Sequence, residues 1–325
     1  MPIPELRNVP VLVTGGAGFI GSHLVDELVR RGARVRVLDN FSNGKRRNLE
    51  SSAAAIEVLE GDLRDLEACR AACRDVRLVF HQAALGSVPR SMADPATSLA
   101  VNVQGTAHVL AAAREAGVER FVYASSSSVY GDSPSELRRE GEEGRPLSPY
   151  AASKRMTEQL AEVFGMAYGL RTVGLRYFNI YGPRQDPDGP YAAVVPRFFK
   201  AALAGERPVI YGDGAQTRDF TFVADAVRAN LLAAGAPDGA DGAAFNVAGG
   251  VATSVLELAG LVFSLVGRTA EADHRDPRPG DVQHSLADLG RSRKALGYAP
   301  EAGLSDGLAL CLPSYEMIAK AAGDA

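Results

Sequence analysis

The stretch that most constrains this chain is residues 9–21, Val-Pro-Val-Leu-Val-Thr-Gly-Gly-Ala-Gly-Phe-Ile-Gly. Its apolar run, residues 11–13, predicts a short strand buried on both faces. Gly15, Gly18 and Gly21 then form G-x-x-G-x-x-G, and Phe19, Ile20, Leu24, Val25 and Leu28 continue at helical spacing. Glycines in this order permit a tight turn, close backbone approach to a pyrophosphate, and close packing of helix on strand. The first helical turn offers N–H groups and the positive end of its dipole to the same anion.

Thirty-four glycines make a glycine triplet weak on its own, so the flanking pattern carries the argument. A second strand is expected over residues 34–38, ending in Asp39, eighteen residues after Gly21. A carboxylate there accepts hydrogen bonds from an adenosine ribose and repels a 2′-phosphate, which selects NAD over NADP. Lys45, Arg46 and Arg47 lie close by and pull the other way. Asn40, Ser42 and Gly44 fall in the same expected pocket, with Phe19 and Ile20 at the helix start.

Further strands are expected over residues 56–60, 78–81 and 121–124. The first leads into Gly61-Asp62-Leu63, where Asp62 either meets the adenine amino group or caps the helix before Leu66. The second runs into Gln82-Ala83-Ala84, small enough at a strand end for a cofactor to lie on the backbone. Residues 85–91 read as a loop, and residues 99–116 as a helix ended by Gly117. Strands alternating with helices predict an α/β fold, a doubly wound parallel Rossmann sheet with ligands at the strands' carboxyl ends.

Composition excludes other classes. A balance of 35 basic against 39 acidic side chains removes any bulk attraction to nucleic acid or anionic membrane. No apolar run reaches membrane-spanning length and the start lacks a signal core, so a cytoplasmic location is expected. Cys69 and Cys73 are four apart on an expected helix, but no Cys or His follows at ligand spacing. They are expected as buried small side chains, with no metal site.

Four serines, Ser125 to Ser128, follow the strand at residues 121–124, at the ligand edge of the expected sheet. After an acidic loop, a helix opens with Tyr150-Ala-Ala-Ser-Lys154, whose Tyr and Lys share a face at i,i+4. With 10 tyrosines and five lysines among 325 positions, about 0.15 chance matches to Tyr-x-x-x-Lys are expected. The chain otherwise prefers arginine, using it at the next position, Arg155. A lysine is a compact charge that lowers a phenol's pKa and reaches ribose hydroxyls.

The glycine motif, the serines around Ser126 and Tyr150-x-x-x-Lys154 together resemble the extended short-chain dehydrogenase/reductase family, over nearly the whole chain. Residues 172–176 are expected as the next strand. Arg176-Tyr177-Phe178-Asn179 is similar to the segment that leaves the sheet to meet the sugar diphosphate in nucleotide-sugar epimerases. The resemblance implies tightly bound NAD and three catalytic residues: Tyr150 as base, Lys154 lowering its pKa, and Ser126 on the reacting sugar oxygen. It assigns Tyr177, with Lys154 and Tyr150, to the cofactor site as well.

Beyond Phe178 the elements shorten. Helices are expected over residues 191–204, 223–234 and from Thr253. A short strand and loop span residues 208–220, and a strand at residues 244–250 rejoins the sheet. The resulting division is a dinucleotide domain of residues 1–177 and 217–248, with a smaller α/β substrate domain of residues 178–216 and 249–325. Arg218 and Arg278 are the expected partners of the uridine diphosphate, since arginine offers paired donors to phosphate; Tyr211 can stack on uracil.

Sugar 4,6-dehydratases carry an Asp-Glu pair beside the catalytic Ser or Thr, and the related decarboxylases a Glu. Here Ser126-Ser127-Ser128-Val129 has no carboxylate, leaving C4 epimerisation. In similar epimerases the residue at Ser285 gates the space beside the sugar's C2 substituent, and a small one admits an N-acetyl group. Gly86, Ser87, Arg90, Ser127, Asn179 and Gln185 would supply polar contacts to it. The combination resembles bacterial epimerases of UDP-N-acetylglucosamine and UDP-N-acetylgalactosamine, with plain UDP-glucose and UDP-galactose as further substrates. A UDP-glucuronate or N-acetylated uronate epimerase is the alternative, with Arg90 or Arg184 pairing the carboxylate. A non-catalytic dinucleotide sensor is the alternative of another class. The family also implies a homodimer through helices at residues 99–116 and 150–168.

Overall fold

The computed structural model describes residues 3–188, 192–277 and 282–323. Seven strands form its central sheet: β1 (Pro10–Thr14), β2 (Arg34–Asp39), β3 (Ile56–Glu60), β4 (Leu78–His81), β5 (Arg120–Ser126), β6 (Thr172–Tyr177) and β7 (Ala244–Val247). Their order is β7-β6-β5-β4-β1-β2-β3, every neighbour parallel. From β1 the chain winds outward through β2 and β3, then returns to the other side of β1 at β4. The carboxyl ends of β1 and β4 therefore border the crevice where such sheets bind ligands.

Alternation along β1 divides the core. Val11 and Val13 face helices Phe19–Arg30 and Val223–Ala234, packing with Leu24, Val25, Leu28 and Leu231. Leu12 faces the other way, into a cluster with Val79, Phe121, Leu110 and Ala161 under helices Leu66–Cys73, Gly105–Glu115 and Pro149–Tyr168. Cys69 and Cys73 lie wholly buried in this second cluster, as small apolar side chains. A third cluster joins helices Val194–Ala204, Val255–Leu265 and Leu304–Gly323 through Phe198, Phe199, Leu258, Val262 and Leu308. That cluster also takes in Phe220, Phe222 and Val223, so the two halves of the chain are interleaved.

Several local expectations change. Residues 85–91 are not all loop: helix Val88–Ala93 starts there, because the Ser87 hydroxyl accepts the Arg90 N–H at 3.2 Å. Its proline sits in the first turn, where a missing N–H costs nothing. The helix expected from Thr253 begins at Val255. Ser254 and Glu257 form a capping box, while Thr253 joins strand Ala252–Ser254, paired with strand Thr217–Asp219. Asp62 is not the cap before Leu66; Asp65 is, accepting from Glu67 and Ala68. The helix expected at residues 99–116 is present, starting earlier at Pro95 and widening to a π-turn at Ala100–Gln104 before it continues as Gly105–Glu115. Tyr191, expected to open a helix, lies outside the described residues, and helix Val194–Ala204 follows it.

Candidate active site

A cleft of about 430 Å³ opens over the carboxyl ends of β1, β2, β4 and β5. Every residue assigned from sequence to the dinucleotide lines it, from Gly15, Gly18, Phe19, Ile20 and Gly21 to Tyr150, Lys154 and Tyr177. Asn40, Ser42, Gly44, Asp62, Leu63, Gln82, Ala83 and Ala84 complete the walls.

The glycines are there for space. Gly15 sits at φ +68°, and a Cβ on it would lie 2.6 Å from the Ala83 Cα. On Gly21 a Cβ would lie 2.1 Å from the Gly15 carbonyl oxygen, so helix Phe19–Arg30 could not approach β1 as it does. Gly18 caps that helix without any side-chain acceptor, leaving its first-turn N–H groups for a ligand. A Gly21→Ala substitution is expected to destabilise the fold by about 1–3 kcal/mol through overpacking. Thermal unfolding of the variant measures it.

Asp39 ends β2 with both carboxylate oxygens partly engaged, accepting N–H groups of Ala17 and Phe41, each at 2.9 Å. Burial pushes its pKa up and these backbone bonds hold it back. Each oxygen keeps a lone pair for a further donor in the cleft. The neighbouring cations are turned to acids: Lys45 pairs with Asp186, and Arg46 with Glu60 while stacking on Phe41. Asp62 is held well below the usual carboxylate range by Arg64.

The floor is built by polar ties across the fold. The Tyr177 hydroxyl donates to Gln82 Oε1 at 3.0 Å and accepts from Asn230 Nδ2 at 2.7 Å; Gln82 Nε2 donates to Asn230 Oδ1 at 2.9 Å. His81 is clamped between Thr14 and Thr106 at 2.8 and 2.9 Å, and burial pushes it down to about 3, a neutral ring. Asn102 both donates to and accepts from the Leu85 backbone, fixing the segment after β4.

Helix Pro149–Tyr168 supplies the reactive pair. Ser148 caps it, and the Tyr150 N–H donates to Ser91 Oγ at 3.0 Å. The Tyr150 phenol hydrogen-bonds Ser126, whose hydroxyl also accepts the Ser128 N–H at 3.2 Å. Burial raises the phenol above its ordinary pKa, and the Ser126 bond pulls it back. Lys154 Nζ donates to the Ala124 carbonyl at 2.8 Å and lies 6.0 Å from the Tyr150 ring centroid. Burial lowers Lys154 to about 8, with Glu158 opposing. The lysine thus stays charged at neutral pH, close to the Tyr150 phenol.

The residues assigned to substrate are more scattered. Gly86 and Arg90 line the cleft, and Arg90 donates to Asn43 Oδ1 at 3.0 Å. Ser87 is spent on its helix cap, and Ser127 opens the tight turn Ser127–Tyr130. Asn179, at φ +35°, donates to the Asp219 carbonyl; Gln185 donates to the Ile180 carbonyl. Tyr211 ends strand Val209–Tyr211, and Arg218 contacts the carbonyls of Thr217 and Gln283. Ser285 is half-buried in a pinned segment: Thr217 N donates to the Gln283 carbonyl, and Ala287 N to Asp219. Arg278 lies outside the described residues.

Arg184, named from sequence only as the alternative partner of a uronate carboxylate, lines the cleft with a left-handed φ of +65° after Pro183, and Asp186, which sequence reasoning missed, lines it too. Arg184 is anchored by Asp26 on the first helix at 2.6 Å, and His23 Nε2 donates to the Pro183 carbonyl at 2.9 Å. Among the described residues no cluster of metal-ligating side chains occurs, and no helix is long and apolar enough to cross a membrane.

Comparison with known proteins follows this geometry. The profile of the NAD dependent epimerase/dehydratase family matches residues 11–248. The chain is 42% identical over 302 residues to a UDP-glucose 4-epimerase of Mycolicibacterium smegmatis, covering 92% of this chain and 96% of that one. It superposes with a TM-score of 0.92 and 37% identity on the UDP-N-acetylglucosamine 4-epimerase of Methanobrevibacter ruminantium in complex with UDP-N-acetylmuramic acid, covering 96% and 100% of the two chains. A Thermus thermophilus UDP-glucose 4-epimerase in complex with NAD gives 0.86 at 39% identity, covering 95% and 99%. A glycine cradle too tight for a Cβ, an uncapped helix start and a carboxylate at the end of β2 fit the same dinucleotide. The chain belongs to the NAD dependent epimerase/dehydratase family, and its cofactor is NAD.

Proposed function

We propose that the chain is a UDP-sugar 4-epimerase that interconverts UDP-N-acetylglucosamine and UDP-N-acetylgalactosamine, and also turns over UDP-glucose and UDP-galactose. The observation that carries the acetylated substrate is the small Ser285 in a segment held on both sides. The epimerase relatives support the broader activity.

Tyr150, as the phenolate, takes the proton of the sugar C4 hydroxyl, beside Ser126 and a buried ammonium. Ser126 steadies the sugar oxygen as it becomes a ketone and then a hydroxyl again. NAD, held by Gly15, Gly18, Gly21 and Asp39, would supply reversible hydride chemistry at C4 and a positive ring that favours the phenolate. Lys154 stays charged and so opposes the phenolate's burial cost. Gly86, Ser87, Arg90, Ser127, Asn179, Gln185, Tyr211 and Arg218 hold the nucleotide sugar, with Arg278 in the same role. In this reading residues 1–177 and 217–248 serve the cofactor, and residues 178–216 and 249–325 serve the substrate.

Two copies pair through the helices at residues 99–116 and 150–168, the second of which leaves Met156, Val163, Met166 and Tyr168 exposed. Val163→Asp with Met166→Asp is expected to halve the mass seen by analytical ultracentrifugation.

The deciding experiment is an NMR time course of the purified protein with UDP-N-acetylgalactosamine, with no NAD added, beside one with UDP-galactose. Conversion of both is expected. Conversion of the plain sugar alone would discard the acetylated substrate and keep the C4 chemistry.

A further inference from the structure

One row of contacts behind the reactive pair has no role in the reading above. Helix Pro149–Tyr168 is stitched to three successive residues at the end of β5 by three residues one turn apart. Tyr150 meets Ser126, Lys154 Nζ donates to the Ala124 carbonyl, and Glu158 Oε1 accepts from Ser125 Oγ at 2.5 Å. Glu158 is buried and held from the far side by Arg176, whose Nε and Nη2 reach its two oxygens at 2.8 Å each. Arg176 lies directly across the ladder from Ser125, as Tyr177 does from Ser126. The carboxylate therefore ties β5, β6 and the helix together one residue behind the catalytic serine.

We propose that Glu158 is a positioning residue for the epimerisation: it fixes the strand end that carries Ser126 and keeps the proton on Lys154. This rests on the assignment of Tyr150, Lys154 and Ser126 as the reacting set. A fully enclosed bidentate ion pair is not needed for stability, since apolar side chains of similar volume often serve as well or better. A negative charge one helical turn from a buried ammonium does something an apolar pair cannot. It stabilises the charged lysine against the desolvation that otherwise strips its proton.

The charges facing Lys154 come from several elements. Its own helix contributes Glu158, Tyr150 and Arg155, the last 3.2 Å from Glu143. From β4 comes the neutral His81, from β5 only the hydroxyls of Ser125 and Ser126, and from β6 Arg176 and Tyr177. The loop before the helix adds Glu143, which pairs with Arg176. Glu158 is the carboxylate that favours the charged lysine, and removing it takes that support away while Arg176 keeps Glu143 as its partner.

The test is the pH profile of kcat for E158Q, which keeps an oxygen acceptor for Ser125 but loses the charge. Because loss of Lys154's proton sets the alkaline limb, that limb is expected to move down by about one pH unit, with the rate at pH 8 falling about fivefold. The double variant E158Q/R176M removes both buried charges, guards against misfolding of the single variant, and is expected to show the same lowered limb, because the carboxylate and not the pair acts on the lysine. Bound NAD and far-UV circular dichroism report folding of each. A purely structural Glu158 would lower the rate at every pH without moving the limb, and that result overturns the proposal. So does a double variant whose limb stays at the wild-type position. Tyr150→Phe is run beside them: if it remains active the assignment of the reacting set fails, whereas an inactive Tyr150→Phe with an unmoved E158Q limb discards only the role of Glu158.

Discussion

Tyr150→Phe is expected to lower kcat by about 10²–10⁴-fold while the protein still purifies with NAD. The phenol hydrogen-bonds Ser126 and lies beside the Lys154 ammonium, as the proposed proton transfer requires. Its ring also lines the cofactor cleft, and phenylalanine keeps that ring. Cofactor content, read by absorbance of the denatured supernatant, should therefore match the wild type. Retained NAD with lost turnover separates a proton-transfer role from a packing role. A variant that binds NAD and keeps full epimerase activity would remove Tyr150 from the chemistry. Lys154→Met differs, because the ammonium also anchors the end of β5 through the Ala124 carbonyl. Both turnover and cofactor retention are expected to fall there.

Ser285→Tyr is expected to lower kcat/KM for the N-acetylated sugars by at least about 100-fold and to leave UDP-galactose within a few-fold of wild type. A steric gate of this kind discriminates strongly only where the backbone cannot yield. Around Ser285 it is held closely: Thr217 N donates to the Gln283 carbonyl at 2.9 Å, Thr217 Oγ1 meets His284 Nδ1 at 3.0 Å, and Ala287 N donates to Asp219 at 3.2 Å. Asp219 also accepts from Gly249 and Gly250, and so pins this segment to the loop after β7. A tyrosine ring at position 285 must then occupy the space before it rather than swing the chain aside. Paired NMR assays of the two sugars read the ratio directly. Equal loss on both would show that residue 285 supports the fold and does not choose the substrate.

The dinucleotide half was legible because its signals are local. A buried strand, three glycines and an amphipathic helix follow one another within residues 9–31, and each has a steric reason that holds whatever lies outside. Tyr150 and Lys154 were found for the same cause, since helical spacing alone brings i and i+4 to one face. Local signals also misled. The proline and serines of residues 85–91 read as breakers, yet Ser87 capping a proline-bearing first turn makes them the start of a helix. Thr253 looked like a cap, but Ser254, with Glu257 in its capping box, takes that place.

By itself, then, the sequence determined the order of the sheet's elements, the glycine cradle, the acid at the end of β2 and the tyrosine–lysine pair. The tertiary structure alone decided how the cleft is walled and braced. Lys45 meets Asp186 across 141 residues, Gln82 meets Asn230 across 148, and Asp26 meets Arg184 across 158. Glu158 finds Ser125 and Arg176 only because the β5–β6 register and the crossing helix bring them together. Such contacts leave no period or spacing in the chain. Each depends on two segments whose approach is set by the packing of apolar faces between them, and a polar side chain carries no mark of the partner it will meet.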